Sequence, residues 1–167
     1  MVSRTTLVAA GVLLAVIIGA QPIQALQAVS PARMAQRGRL LPGEKRISAP
    51  GGAYIDVTPL RLMTLLRHKS FTLVNVHVPY AGEIARTDRF LPFDQIDRNL
   101  IRLPGKTAMI VLYCRSGRMS ALAARRLVRL GYTSVWELAG GMDAWRQQGL
   151  PLHHAARWEG SGFRPHR

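Results

Sequence analysis

The chain has 167 residues, of which 48% are hydrophobic, and its 23 Lys and Arg residues against 9 Asp and Glu residues give a net charge of +14. This length suits one ordinary domain, and the hydrophobic fraction is enough for a buried core, which excludes a wholly disordered chain. The single cysteine excludes an internal disulfide and any metal site built from several thiolates.

The first 28 residues have the layout of a secretory signal peptide. Arg4 precedes fourteen uncharged, mostly apolar residues at 7–20, and the small residues Ala25 and Ala28 follow. We predict that residues 1–28 are removed and that the rest is exported, to the periplasm or outside the cell. Fourteen residues are fewer than the roughly 20 that span a bilayer. An uncleaved membrane anchor is the alternative, because apolar residues continue beyond Ala20.

Two basic segments flank the predicted domain. Residues 29–53 are rich in Pro and Gly, carry five basic residues against Glu44 alone, and show no apolar period. This composition predicts a linker, and its charge would allow contact with an anionic membrane surface. Residues 153–167 have a similar composition and are predicted to form a flexible tail.

Between these segments, residues 54–152 alternate between strand and helix patterns. Apolar, β-branched runs predict strands at 54–57, 72–78, 108–113 and 134–138. Apolar residues at helical spacing predict helices from Pro59 onward and over 93–103, 117–130 and 141–148. Such alternation is typical of an α/β fold with a mostly parallel sheet and helices on both faces.

Cys114 follows the predicted buried strand at 108–113 and precedes a helix. Ligands bind outside the carboxyl ends of strands in open α/β sheets, and a helix N-terminus attracts anions and favours the thiolate form of a thiol. We predict a nucleophilic cysteine in an anion-binding loop rather than a buried inert thiol. The predicted substrate-binding residues are Arg115, Ser116, Gly117, Arg118, Met119 and Ser120.

Three segments resemble single-domain rhodaneses: CRSGRMS at 114–120, Leu-Gly-Tyr at 130–132, and VWELAGGMDAWRQQGL at 135–150. The resemblance implies a rhodanese-like fold with a sheet of about five strands. It also implies a sulfurtransferase in which Cys114 takes the outer sulfur of a thiosulfate-like or persulfide donor. The resulting persulfide would be held by the loop amides and passed to cyanide or a thiol.

The chain departs from the family pattern around the expected pocket. Asn75-Val76-His77 replaces the usual Asp-Val-Arg, and residues 82–87 replace Gly-His-Ile-Pro-Gly-Ala. We assign His77, Glu83 and Arg86 to the rim of the pocket. Rhodanese-fold phosphatases carry Arg six positions after the cysteine, where this chain has Ser120, so the spacing argues against phosphatase activity.

The predicted partners are a small anionic sulfur donor and a thiol or protein acceptor, with no cofactor and no metal. Nucleic acid is not expected, because the positive charge is spread over all three segments and no aromatic stacking platform accompanies it. A catalytically weak sulfur carrier or protein-binding module of the same fold is the alternative function.

Overall fold

The computed structural model describes residues 40–154. The predicted signal peptide, the first part of the predicted linker and most of the predicted tail therefore lie outside the described residues. In chain order the elements are β1 (Glu44–Ala49), β2 (Gly52–Val57), α1 (Pro59–Arg67), β3 (Thr72–Asn75), β4 (Arg89–Phe90), a 3-10 helix (Ile96–Arg102), β5 (Ile110–Tyr113), α2 (Arg118–Arg129), β6 (Val135–Leu138) and α3 (Gly141–Gln147).

The six strands form one sheet in the order β1-β2-β6-β5-β3-β4. Every neighbouring pair is parallel except the β1–β2 hairpin, which is antiparallel. The predicted α/β fold with a mostly parallel sheet is confirmed. The expected number of about five strands becomes six, because one strand comes from the segment that we predicted to be a linker.

That additional strand is β1, which pairs with β2 along its whole length, from Glu44 opposite Val57 to Ala49 opposite Gly52. The predicted linker over 29–53 therefore ends in a strand and a hairpin turn. Its basic composition concealed the strand because an edge strand takes its backbone hydrogen bonds from one neighbour and needs little apolar surface. In β1 only Ile47 and Ala49 pack against the core.

The helix predicted over 93–103 is a shorter 3-10 helix that contains a kink at Asn99 (φ −117°). The Asn99 side-chain amide donates a hydrogen bond to the Gln95 carbonyl at 2.9 Å. An asparagine side chain competes in this way with the backbone hydrogen bonds of a helix. The apolar spacing of residues 93–103 alone did not reveal this competition.

The two faces of the sheet carry separate layers. Ile110, Leu112 and Cys114 point to the face covered by α2 and the 3-10 helix, whereas Val111 and Tyr113 point to the face covered by α1 and α3. This alternation is the two-residue period of a strand with both faces buried. Within residues 40–154, no helix has the length and apolarity needed to span a membrane.

Candidate active site

Cys114 lies directly beyond the carboxyl end of β5, in the central part of the sheet, and α2 begins four residues later. Its side chain is 1% exposed. The sulfur accepts hydrogen bonds from the Gly117 backbone N–H at 3.1 Å and from the Ser120 hydroxyl at 3.3 Å. Two donors therefore converge on one sulfur atom, and both stabilise a negative charge there.

Gly117 allows the loop to turn back onto the sulfur. It has φ +89° and precedes the first residue of α2. A side chain would be strained in this backbone conformation. A Cβ added at Gly117 would also lie 3.2 Å from the Gly140 nitrogen and 3.3 Å from Glu137 Oε1. The turn and the close packing behind it both require glycine.

The cysteine loop is anchored on the first turn of α3. The Met142 N–H donates to the Cys114 carbonyl at 2.9 Å, and the Asp143 N–H donates to the Arg115 carbonyl at 2.8 Å. Gly141 permits this approach, because a Cβ at that position would lie 2.4 Å from the Cys114 carbonyl oxygen. The Gly140-Gly141 pair thus places α3 against the backbone of the candidate nucleophile.

The predicted loop residues divide into outward and inward groups. Arg115, Ser116 and Arg118 are exposed, whereas Ser120 is fully buried. Met119 is half-buried and packs against the core. Arg115 approaches Asp143, with 3.7 Å between Nε and Oδ1. The loop therefore presents two guanidinium groups to solvent and a single hydroxyl to the sulfur.

His77 is buried, and it lies near Arg115 and Asp143. Its backbone N–H donates to Asn75 Oδ1 at 3.0 Å, while ring atom Nδ1 has no hydrogen-bond partner among residues 40–154. Burial lowers the pKa of His77, and the positive charge of Arg115 lowers it further, while Asp143 opposes the change. The imidazole is therefore neutral at physiological pH and has a nitrogen that can bind a polar group.

The structure places Glu83 and Arg86 in a loop that other elements hold. The backbones of Glu83 and His153 exchange two hydrogen bonds of 2.8 Å, which ties down the first residue of the predicted tail. The Arg86 guanidinium donates to the Leu66 carbonyl near the end of α1. The Tyr113 hydroxyl accepts from the Ile84 N–H at 3.1 Å. These hydrogen bonds fix the loop to the rest of the domain, and they hold the Arg86 side chain against the end of α1.

Sequence reasoning missed Glu137, which lies on β6 and is only 3% exposed. Its Oε1 lies 2.6 Å from the oxygen of the same Ser120 hydroxyl that reaches the Cys114 sulfur. Because a hydroxyl has one proton, Ser120 donates to the sulfur only when the Glu137 carboxyl supplies the proton of the 2.6 Å hydrogen bond. A signal was available in the strand period, since Glu137 is two residues from the core residue Val135 and must face the same way. The assignment of residues 134–138 as a strand did not consider which face carried the charge.

Within residues 40–154, no three His, Cys, Asp or Glu side chains come together as a metal site. The groups around Cys114 can perform nucleophilic chemistry at sulfur. A thiolate supported by two donors, with guanidinium groups at the loop, suits the attack on a small anion.

Part of the chain is similar to known proteins. Residues 70–148 match the rhodanese-like domain. The chain is 33% identical over 100 residues to an uncharacterized protein of Synechocystis, covering 58% of this chain and 55% of that protein. It is 40% identical over 62 residues to a sulfurtransferase of Allochromatium vinosum, and the match covers 37% of this chain and 57% of that protein. It is 31% identical over 80 residues to thiosulfate sulfurtransferase 16 of Arabidopsis thaliana, and the match covers 46% of this chain and 62% of that protein. The matches thus span little more than half the length of these relatives.

Solved structures show the same fold. A rhodanese-like domain protein from Staphylococcus aureus superimposes with a TM-score of 0.51 at 26% identity, covering 59% of this chain and 98% of that one. A rhodanese-like domain from Anabaena superimposes with a TM-score of 0.53 at 20% identity, covering 67% and 88%. The fold is the rhodanese-like α/β fold, and residues 70–148 are similar to the rhodanese-like domain.

Proposed function

We propose that this protein is a sulfurtransferase that carries sulfur as a persulfide on Cys114. The observation that carries this proposal is the position of the Cys114 sulfur, which lies beyond the carboxyl end of β5 and accepts hydrogen bonds from Gly117 and Ser120. An inert core cysteine does not need two such donors. A thiolate or persulfide anion does, because its charge would otherwise be buried without compensation.

The reaction balances with thiosulfate as donor and needs no cofactor. The Cys114 thiolate attacks the outer sulfur of thiosulfate, a new S–S bond forms, and the bond to the sulfonate sulfur breaks, which releases sulfite. The negative charge then resides on the outer sulfur of the persulfide. Cyanide or a thiolate attacks that sulfur, takes it, and regenerates the Cys114 thiolate.

The exposed guanidinium groups of Arg115 and Arg118 support an anionic donor, because they offer positive charge beside the buried sulfur. The burial of Cys114 favours a donor that presents one small outer sulfur. Two relatives, named sulfurtransferase and thiosulfate sulfurtransferase 16, favour the same chemistry. If the acceptor is itself a protein, its thiol must protrude far enough to reach the buried sulfur.

We further propose that the domain acts after export and that the basic segment before β1 contacts anionic lipid. The support is the apolar segment at 7–20 and the three arginines before β1, Arg33, Arg37 and Arg39, which no acidic residue accompanies over 29–43. No role in nucleic-acid binding is proposed.

The proposal is tested with thiosulfate and cyanide, by measuring thiocyanate release from the wild-type protein and from Cys114→Ser. We expect turnover in the wild type and only background in the variant. Mass spectrometry after incubation with thiosulfate should show the addition of one sulfur atom to the wild type alone. Persulfide without thiocyanate would favour the sulfur-carrier alternative, and neither product would refute sulfur transfer.

A matched control moves the thiol instead of removing it. In the double variant Cys114→Ser, Ser116→Cys, the only thiol lies two residues along the same loop, at an exposed position. We expect no thiocyanate from this protein, because nothing in the structure directs the Gly117 amide and the Ser120 hydroxyl to that position. Activity equal to wild type would show that any loop thiol suffices.

A further inference from the structure

Behind the candidate nucleophile lies a buried chain of polar groups, of which the sulfur-transfer steps use only the Ser120 hydroxyl. It runs from the Cys114 sulfur to the Ser120 hydroxyl at 3.3 Å and on to Glu137 Oε1 at 2.6 Å. On the other side of Glu137 is Asp56, which stands directly opposite it in the β2–β6 register. One atom of Asp56, Oδ1, is buried and has no hydrogen-bond partner among the described residues.

These groups cannot all carry negative charge. Two carboxyls directly opposite on neighbouring strands repel one another when both are ionised, and burial makes the repulsion stronger. Within residues 40–154, neither Asp56 nor Glu137 forms a salt bridge. A third negative charge on Cys114 would add to the same buried row. One carboxyl must therefore keep its proton if the sulfur is to ionise.

The surrounding charges decide which carboxyl that is. Lys45 on β1 and Arg125 on α2 both favour the ionised form of Asp56, and both residues face it from packed elements. Glu137 is more deeply buried, and it faces Asp56 on one side, Ser120 on α2 on another, and Cys114 beyond Ser120. Tyr54 on β2 is a further titratable group that interacts with both carboxyls. The proton belongs on Glu137.

We propose that Glu137 is a positioning residue for Cys114: its carboxyl stays protonated in the folded protein and, through Ser120, allows the sulfur to hold a negative charge. Ionised Glu137 would accept a charge-assisted hydrogen bond from the Ser120 hydroxyl, and the hydroxyl would then no longer donate to the sulfur. Ionised Glu137 would also place a second negative charge only two hydrogen bonds away from the Cys114 sulfur. Both effects disfavour the thiolate and the approach of an anionic donor.

The electrostatic surroundings of the carboxyl act in the same direction. Burial raises the pKa of Glu137 to about 9; the Ser120 hydrogen bond opposes the rise, whereas Asp56 and Cys114 add to it. Burial also raises the pKa of Asp56, but the interactions with Glu137, Lys45 and Arg125 act in the opposite direction. Because the coupling between two sites is reciprocal, any effect of Glu137 on the sulfur has an equal effect of the sulfur on Glu137.

The proposal rests on Cys114 being the nucleophile of the proposed function, so its first test does not involve sulfur transfer. Infrared spectroscopy of the wild-type protein at pH 7 should show the carbonyl band of a protonated carboxyl. We expect Glu137→Gln to remove this band and the exposed-carboxyl control Asp97→Asn to leave it unchanged. A missing band in the wild type, or a band removed by Asp56→Asn and retained in Glu137→Gln, overturns the proposal.

The same band tests the coupling to sulfur. It should disappear with a midpoint near pH 9 in the wild type and at lower pH in Cys114→Ser, because the sulfur charge no longer opposes ionisation. Ser120→Ala should reduce this response to Cys114→Ser. An unchanged midpoint in Cys114→Ser overturns the coupling, whether or not the protein transfers sulfur. This arm also remains decisive if Glu137→Gln does not fold.

A kinetic arm follows persulfide formation as sulfite release in a single turnover, without cyanide. In the wild type we expect the rate to fall about tenfold per pH unit above about pH 9, as for loss of one essential proton. Glu137→Gln should abolish this fall, since an amide does not ionise. An identical fall in both proteins overturns the proposal. If Cys114 forms no persulfide, the proposed function fails while the infrared result for Glu137 stands.

Discussion

Replacing Gly141 with alanine should destabilise the protein more than the same change at Gly149, where the backbone strain is similar. Gly141 has φ +58°, and its added Cβ would lie 2.4 Å from the Cys114 oxygen and 2.7 Å from the Arg115 oxygen. Atoms cannot approach so closely, so the loop must move away from α3. That movement breaks the hydrogen bonds from Met142 to Cys114 and from Asp143 to Arg115.

The expected magnitude has two parts. The left-handed backbone costs a residue with a Cβ roughly 1 kcal/mol. The two lost backbone hydrogen bonds add about 1 kcal/mol each, which gives a total near 3 kcal/mol. The free energy of unfolding is measured by urea denaturation, where a shift of the midpoint at constant slope reports a change in stability.

Gly149 provides the matched control. It has φ +71°, and no atom lies within 4 Å of the position that its Cβ would take. Gly149→Ala should therefore cost only the backbone part, about 1 kcal/mol. Gly141→Ala should also lower the rate of persulfide formation, because the displaced loop carries Cys114. Equal destabilisation by the two substitutions would refute the argument that α3 supports the loop through close contact at Gly141.

Two further predictions concern other buried polar groups. Tyr113→Phe should lower the free energy of unfolding by about 1–3 kcal/mol, because the buried Ile84 N–H loses its acceptor; urea denaturation measures the change, and full wild-type stability would contradict it. The pKa of His77 is lowered from 6.5 in the folded protein, so the unfolded chain binds that proton more readily. Wild type should therefore lose stability relative to His77→Gln as the pH falls through about 6.5, and a constant difference in thermal unfolding between pH 5 and 8 would refute this.

The amino-acid sequence was sufficient to predict the alternation of strands and helices and the place of Cys114 between β5 and α2. These features depend on local signals: the buried run before Cys114, the glycine at 117 and the amphipathic pattern of α2. The same reasoning did not predict β1, because an edge strand needs few apolar residues. It also mistook the kinked 3-10 helix for a regular helix, because the Asn99 side-chain hydrogen bond leaves no mark on the apolar spacing.

From the sequence it follows that the single cysteine stands at the start of a helix, between rhodanese-like motifs and with arginines beside it. The surroundings of that cysteine depend on contacts between residues that are distant in the chain. Gly141 lies 27 residues further along the chain, yet it sets the position of the loop, and Glu137 reaches the sulfur only through Ser120. Both relationships arise from the parallel order β2-β6-β5, which brings the ends of distant strands together at one edge of the sheet.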